Sequence, residues 1–310
     1  MKARYKKHVL NFKQPGGTSR GILKTKETWF IIISNGAHWG IGECGLLRGL
    51  SMDDLPEYEE KLQWVCNHID QGLPQLYAQL SAFPSIQFGL EMAFASLSAK
   101  DPFVLMPSAF TKGEARIPIN GLVWMGDAAF MKQQISEKIE AGFSCIKMKI
   151  GAIDFETELS LIKGIRSQFS PSDIELRVDA NGAFHPDQAL EKLNRLAEYD
   201  LHSIEQPIAV RQWKAMAQLC EKSPIPIALD EELIGITSIE ERLAMLQEVR
   251  PPFIILKPSF IGGFRGSDEW IEAAQSINAD WWITSALESN IGLNAIAQYT
   301  YLKKNPLPQG

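Results

Sequence analysis

The chain has no apolar run of the ~18 to 20 residues that a membrane-spanning helix needs, and its basic start, Met1 to Lys7, leads into an apolar stretch too short for a signal peptide. The expected setting is the cytoplasm, with no membrane partner. Cysteine is scarce: Cys44, Cys66, Cys145 and Cys220 form no CxxC pair, so neither a thiolate metal site nor a disulfide framework is signalled. Positive charge is in deficit, with 31 Lys and Arg against 37 Asp and Glu and a formal charge of −6, which leaves no basic footprint for nucleic acid. The five histidines show neither HxH nor HExxH spacing, and no Gly-rich phosphate fingerprint opens a helix. These absences disfavour a hydrolase-type metal barrel and a dinucleotide-binding sheet. What is present, 45% apolar and 22% charged residues over 310 positions, describes a globular chain of one large domain, or a large domain with a smaller partner.

Residues 3–12 and 27–34 have strand character, and Asn35-Gly36 reads as a two-residue hairpin turn ahead of the run to Cys44. Leu55, Tyr58, Leu62, Val65 and Ile69 recur at helical steps between Asp53 and Asp70, with Ser51 and two acids placed to cap the start, and a second helix is expected from about Ser85 to Ala99. The spacing therefore predicts an α+β unit over residues 1–100, a linker over 101–116, and a (β/α) barrel over 117–310. Barrel strands are expected near 117–123, 145–150, 174–179, 202–206, 225–230, 253–257 and 280–285, and a helix from about Asn290 to Lys303. Their repeat is close to the roughly 31 residues per unit of a (β/α)8 barrel. The count is one short, so the record is expected to lack its last strand and C-terminal tail.

Polar residues gather at the ends of these strands. Lys147 and Lys149 flank Met148, and period-two alternation puts both amines on one face. Asp179 ends "RVD", Glu205 ends "SIE", Asp230 ends "ALD" and Lys257 ends "ILK". Ionisable groups on five successive strands, where barrel active sites are built, are not demanded by packing or solvation. Three converging carboxylates repel one another unless a cation neutralises them, and all-oxygen donors favour Mg²⁺, with Mn²⁺ as the alternative and zinc disfavoured. Such a site suits proton abstraction beside a substrate carboxylate by one lysine, with the cation and the other ammonium groups stabilising the enediolate. Clustered cations are expected to depress the pKa of that base.

The KxK, DAN, EQP, DE and KP motifs together resemble the enolase superfamily in its muconate-lactonising subgroup, across nearly the whole chain. That resemblance implies an α/β fold, a modified (β/α)7β TIM-type barrel with an N-terminal α+β capping domain. "SALESNIGLNAIAQ" and the short length are most similar to the o-succinylbenzoate synthase branch, which implies a small-molecule carboxylate substrate and loss of water to form an aromatic ring. It further implies Asp179, Glu205 and Asp230 as metal ligands, Lys149 as general base with Lys147 as its support, and Lys257 as the opposing lysine. N-acylamino acid racemase or dipeptide epimerase chemistry is the alternative on the same site. A Schiff-base aldolase using Lys257 and a non-catalytic scaffold are the readings from other classes.

Plainer readings stand beside these. A single Asp at a strand end is commonly a helix cap, and only the coincidence on three consecutive strands favours a metal site. Asn181 either supports the metal shell and substrate or makes an ordinary Asn-Gly turn. Arg177 is a buried counter-charge or a substrate contact, Ser285 a substrate contact or a helix approach, and Glu231 is read as structural. The segments around Gln14 to Arg20 and Cys44 to Ser51 are expected to close over ligand. Trp281 and Trp282 are expected on opposite faces of their strand. Oligomeric state is not legible.

Overall fold

β1 (Lys2–Thr18) and β2 (Gly21–Ser34) form a long antiparallel ribbon, and β3 (Trp39–Cys44) adds to its second strand. They belong to a computed structural model that describes residues 1–18 and 21–310, with no account of the side chains of residues 17–20. The ribbon's register slips between Asn11 and Gly16 before pairing resumes at Gly16↔Leu23. Residues 14–18 are therefore strand rather than loop, and residues 19 and 20 lie outside the described part. The turn between β2 and β3 spans four residues, since Ser34 pairs with Trp39. Asn35 Oδ1 accepts the N–H groups of Ala37 and His38, and Gly36 takes the left-handed backbone at φ +95°. The Asn side chain substitutes for the tight two-residue turn.

Alternation along β2 buries Trp29, Ile31 and Ile33 against α1 (Tyr58–Asn67), α2 (Leu73–Ala78) and α3 (Pro84–Ser98). A Cβ on Gly42 would collide with the carbonyl oxygen of Gly89, so β3 and α3 approach this closely only because both residues are glycine. The first helix begins later than its apolar spacing indicates. Ser51 Oγ accepts the N–H of Leu47, and buried Asp53 accepts the N–H and Oγ–H of Ser85 at 2.9 and 2.6 Å, so neither caps α1.

The second sheet is parallel, with strands in sequential order: β4 (Gly121–Val123), β5 (Cys145–Lys149), β6 (Glu175–Asp179), β7 (Ser203–Glu205), β8 (Ile227–Leu229), β9 (Phe253–Leu256) and β10 (Asp280–Ile283). The helices between them are α4 (Ala128–Glu140), α5 (Phe155–Arg166), α6 (Pro186–Ala197), α7 (Trp213–Lys222), α8 (Ile239–Val249), α9 (Pro258–Ile261) and α10 (Gly263–Gln275), and α11 (Asn290–Lys303) follows β10. Asp127, Asp154, Ser238 and Ser289 cap α4, α5, α8 and α11 by accepting a first-turn N–H. The position of the expected missing strand is taken by Gln309 and Gly310. Gln309 exchanges backbone hydrogen bonds with Pro118 and Asn120, each 2.8 Å, and Gly310 N–H donates to Ile283 at 2.9 Å. An N–H ahead of β4 and a carbonyl of β10, at the two ends of the curled sheet, are thereby paired. Residues 101–116 carry no helix or strand and lie along α11, where Phe110 stacks on Tyr301 and Met106 N–H donates to Gln298.

Most of the apolar core lies between this sheet and its helices. Inside the curl the buried apolar cluster is small: Ala228, Ile255 and Trp282. Trp281, one residue earlier, joins the outer core, as alternation requires. The space above the inner cluster is left to charged side chains.

Candidate active site

Parallel register sets Lys149, Asp179 and Glu205 at one level, paired across β5, β6 and β7, with Lys147 and Arg177 paired one layer below. Asp230 directly follows β8 and Lys257 directly follows β9. Counting Gln309 as the closing eighth position, β5 and β9 lie four positions apart, so Lys149 and Lys257 face each other across the curl. Both line a cavity of about 190 Å³, together with Lys147, Asp179, Asn181 and Ser285. Leu47 and Leu50 close it from the segment after β3 and Leu23 from β2, so the first sheet does cover the mouth. A larger cavity of about 690 Å³ lies outside, sharing the walls Trp124 and Leu287.

Each acid meets an amine. Lys149 Nζ donates to Asp179 Oδ2 and to Asn181 Oδ1, both at 2.8 Å. Lys147 Nζ hydrogen-bonds Glu205 Oε2 and lies 3.3 Å from the same Asp179 oxygen, while Lys257 Nζ hydrogen-bonds Asp230 Oδ2. Burial pulls the ammonium of Lys147 down, but Glu205, Asp179 and Asp230 outweigh it and hold the group above its ordinary value. Lys257 behaves alike, raised by Asp230 and Glu205 against its burial. At Lys257 the neighbouring Lys147 lowers the group, but the carboxylates outweigh it. Burial pushes Asp179 up, yet Lys149 and Lys147 hold it well below the usual carboxylate range. Glu205 is pushed up to about 8 by burial and by the neighbouring charge of Asp179, with Lys147 opposing.

Glu205 Oε1 is buried and accepts no hydrogen bond. This unpartnered buried oxygen and the all-oxygen donor set of the three acids fit a hard divalent cation. Among the described residues, no three His, Cys, Asp or Glu side chains converge closely enough to cage an ion as they stand. Lys147 and Lys257 lie on the oxygens concerned, so holding an ion requires these ammonium groups to yield them. The residues that could do so are Asp179, Glu205 and Asp230.

The remaining candidates separate. Asn181, at φ +43°, ties the site together, since its Oδ1 accepts from Lys149 and its Nδ2 donates to Glu231 Oε1 at 2.9 Å. Arg177 does not reach the cavity: it is 1% exposed, its Nε donates to Glu175, its Nη1 donates to the Pro308 carbonyl at 2.9 Å, and its guanidinium lies 4.2 Å over the Trp282 ring. Gln206 has no place in the sequence reading, although it stands in the EQP motif. Its Oε1 accepts the N–H groups of Asp230 and Glu232 at 3.3 Å and so fixes the backbone that presents Asp230. Leu47 and Leu50 lie in the Cys44 to Ser51 segment expected to close over ligand, whereas Leu23 and Trp124 carry no sequence signal, because only their meeting at the mouth makes them part of the site.

Comparison with known proteins agrees with this arrangement. The family model "Enolase C-terminal domain-like" matches residues 131–309, and "MenC, N-terminal domain" matches residues 16–97. A protein of Desulfotalea psychrophila (strain LSv54 / DSM 12343) named o-succinylbenzoate synthase is 46% identical over 341 aligned positions, covering 100% of this chain and 92% of that protein. The crystal structure of MenC from Desulfotalea psychrophila LSv54 superposes with a TM-score of 0.88 at 42% identity, covering 100% of this chain and 93% of that one. A dipeptide epimerase from Enterococcus faecalis V583, solved with Mg and the dipeptide L-Leu-L-Tyr, shares the fold at a TM-score of 0.86 and 20% identity, covering 99% and 88% of the two chains.

Proposed function

The chain belongs to the enolase superfamily, and on that premise we propose that it acts as a carbon–oxygen lyase, dehydrating 2-succinyl-6-hydroxy-2,4-cyclohexadiene-1-carboxylate to o-succinylbenzoate in menaquinone biosynthesis. The observation that carries this reading is a pair of lysines facing each other across a small cavity backed by three acids, in a chain 46% identical along its whole length to an o-succinylbenzoate synthase. In this assignment residues 1–100 form the capping unit, 101–116 the linker and 117–310 the barrel, and the protein works in the cytoplasm. No helix among the described residues is long and apolar enough to cross a membrane.

Lys149 is the general base. Its Nζ is steered by Asp179 and Asn181 to the cavity wall, where it takes the proton from the ring carbon bearing the carboxylate. The C–H electron pair moves into the ring and the carboxylate. Hydroxide then leaves the neighbouring carbon and receives the proton held by Lys149, so the products are water and an aromatic ring. Lys257, kept protonated by Asp230, faces the ring from the other side and stabilises the developing negative charge. Lys147 holds Glu205 and Asp179 in place and so supports Lys149. Asp179, Glu205 and Asp230 would hold Mg²⁺, with Mn²⁺ as the alternative; when bound, the ion supplies positive charge that stabilises the substrate carboxylate as its α-carbon loses a proton. Ser285 and the apolar lid exclude water around the ring.

The facing lysines also favour a second reading, racemisation or epimerisation, in which one lysine removes an α-proton and the other returns one to the opposite face. Two assays separate them. The first follows disappearance of the cyclohexadiene absorbance, and the second follows deuterium entering N-succinyl amino acids or dipeptides in heavy water. Dehydration with no deuterium incorporation supports the synthase; incorporation without dehydration assigns the epimerase family of reactions instead.

A further inference from the structure

A second buried charge network joins the first sheet to the loop after β10, and none of its groups has a part in the chemistry above. Lys26, on β2, is 3% exposed, and its Nζ donates to the Ala286 carbonyl at 2.7 Å. Glu43, on β3, is wholly buried and accepts four hydrogen bonds: from Thr28 Oγ1 at 2.9 Å, Ser289 N–H at 2.8 Å, Ser289 Oγ at 2.5 Å and Gly292 N–H at 2.8 Å. It thus satisfies donors at the start of α11, where a carboxylate is also favoured by the helix dipole. Glu288 completes the network, with Oε1 accepting from Ser259 Oγ at 2.5 Å and Oε2 from Ala286 N–H at 2.6 Å. Between these anchors Leu287 is held at φ +61°, a backbone state that persists in a leucine only where its surroundings impose it.

The loop so held is a wall of the site. Ser285, Ala286 and Leu287 line the catalytic cavity, and Leu287 also separates it from the larger outer one. Lys26 and Glu43 line neither. Apolar packing would join sheet to barrel without desolvating an ammonium and a carboxylate, whereas directional charged bonds fix one loop conformation. We propose that Lys26 and Glu43 are positioning residues that clamp the Ser285–Ser289 loop, so that the wall made by Ser285, Ala286 and Leu287 stands against the bound ring. The identity of that ring rests on the function proposed above; the clamp itself does not.

The test uses the full chain with Mg²⁺ and compares Lys26→Met, Lys26→Arg and Glu43→Gln with the parent, by amide hydrogen exchange in the presence of o-succinylbenzoate and by steady-state kinetics on 2-succinyl-6-hydroxy-2,4-cyclohexadiene-1-carboxylate. Lys26→Met and Glu43→Gln are expected to speed exchange over residues 285–292 about tenfold, the scale of one charge-assisted hydrogen bond, with the other barrel strands unchanged. KM is expected to rise about tenfold with kcat within about threefold of the parent, and Lys26→Arg to recover most of the difference. Exchange needs no turnover, so a chain without synthase activity would overturn the functional reading while still deciding the clamp. Unchanged exchange at 285–292, acceleration spread evenly over both sheets, or kcat falling with KM constant would each overturn the proposal. If Lys26→Met does not fold, Glu43→Gln decides by the same readouts, and outright unfolding of both would mark the network as support for the fold alone and overturn it.

Discussion

Replacing Lys147 with Met removes the ammonium that neutralises Glu205 and Asp179 while keeping the length of the side chain, so little cavity is created. The lysine side chain is 11% exposed and its two partners 1% and 2%, so solvent cannot compensate. Breaking a buried ion pair from one side costs roughly 3–5 kcal/mol, because a charge is left behind without its partner. Glu205, already pushed up to about 8, loses its main restraint and gives up part of that penalty by staying protonated, which places the expected loss near the lower end, about 3 kcal/mol. A divalent cation should narrow the gap. With the competing ammonium gone, Mg²⁺ binding about tenfold tighter in the variant would return about 1.4 kcal/mol at saturating ion. Urea unfolding of parent and variant, with chelator and with Mg²⁺, measures both quantities. A loss under about 1 kcal/mol, or a gap that widens on adding Mg²⁺, would refute the view that Lys147 stands in for positive charge among these acids.

Three further outcomes are expected. Lys149→Ala should lower kcat by about 10³-fold or more, the usual scale for a general base, while Mg²⁺ binding by calorimetry stays measurable; appreciable residual turnover would reassign the base. Asp230→Asn should weaken Mg²⁺ affinity, and an unchanged dissociation constant in the same titration would remove Asp230 from the ligand set. Asp53 is pushed up to about 6 by its burial, with Ser85 opposing, so the folded chain keeps this proton between about pH 4 and 6 while the unfolded chain loses it. Stability from this group is therefore full below pH 4, falls as pH rises through that window, and is flat above it, by about 3 kcal/mol at most. Asp53→Asn should flatten that slope, and an identical pH profile of unfolding in parent and variant would contradict the assignment.

Much of the barrel was legible because parallel strands covered by helices are short apolar runs, and their ends carry the ionisable groups. Lys147 and Lys149 share a face by alternation alone, and the seven parallel strands fall within the spans expected for them. The first unit was less legible. Strand pairing carried β1 to Thr18, past the point where its residue types suggest a loop, and of the acids expected to cap α1, Asp53 was drawn to Ser85 and Asp54 to Arg48 and the Gly49 N–H. Arg177 has the correct parity for the site, yet its height in the barrel puts it under the cavity against Trp282. Lys26 looks like one more surface lysine of a strand until β2 is seen to carry it to the Ala286 carbonyl.

The sequence by itself determined which residue types meet at the strand ends, because side-chain direction in a strand depends only on counting by two and strand order follows the chain. Only the tertiary structure decided which amine faces which acid, that Gln309 and Gly310 bridge the first and last barrel strands, and that the first sheet anchors a wall of the cavity. Those outcomes depend on register, on the curl of the sheet and on contacts between residues up to 260 positions apart, none of which a local pattern encodes.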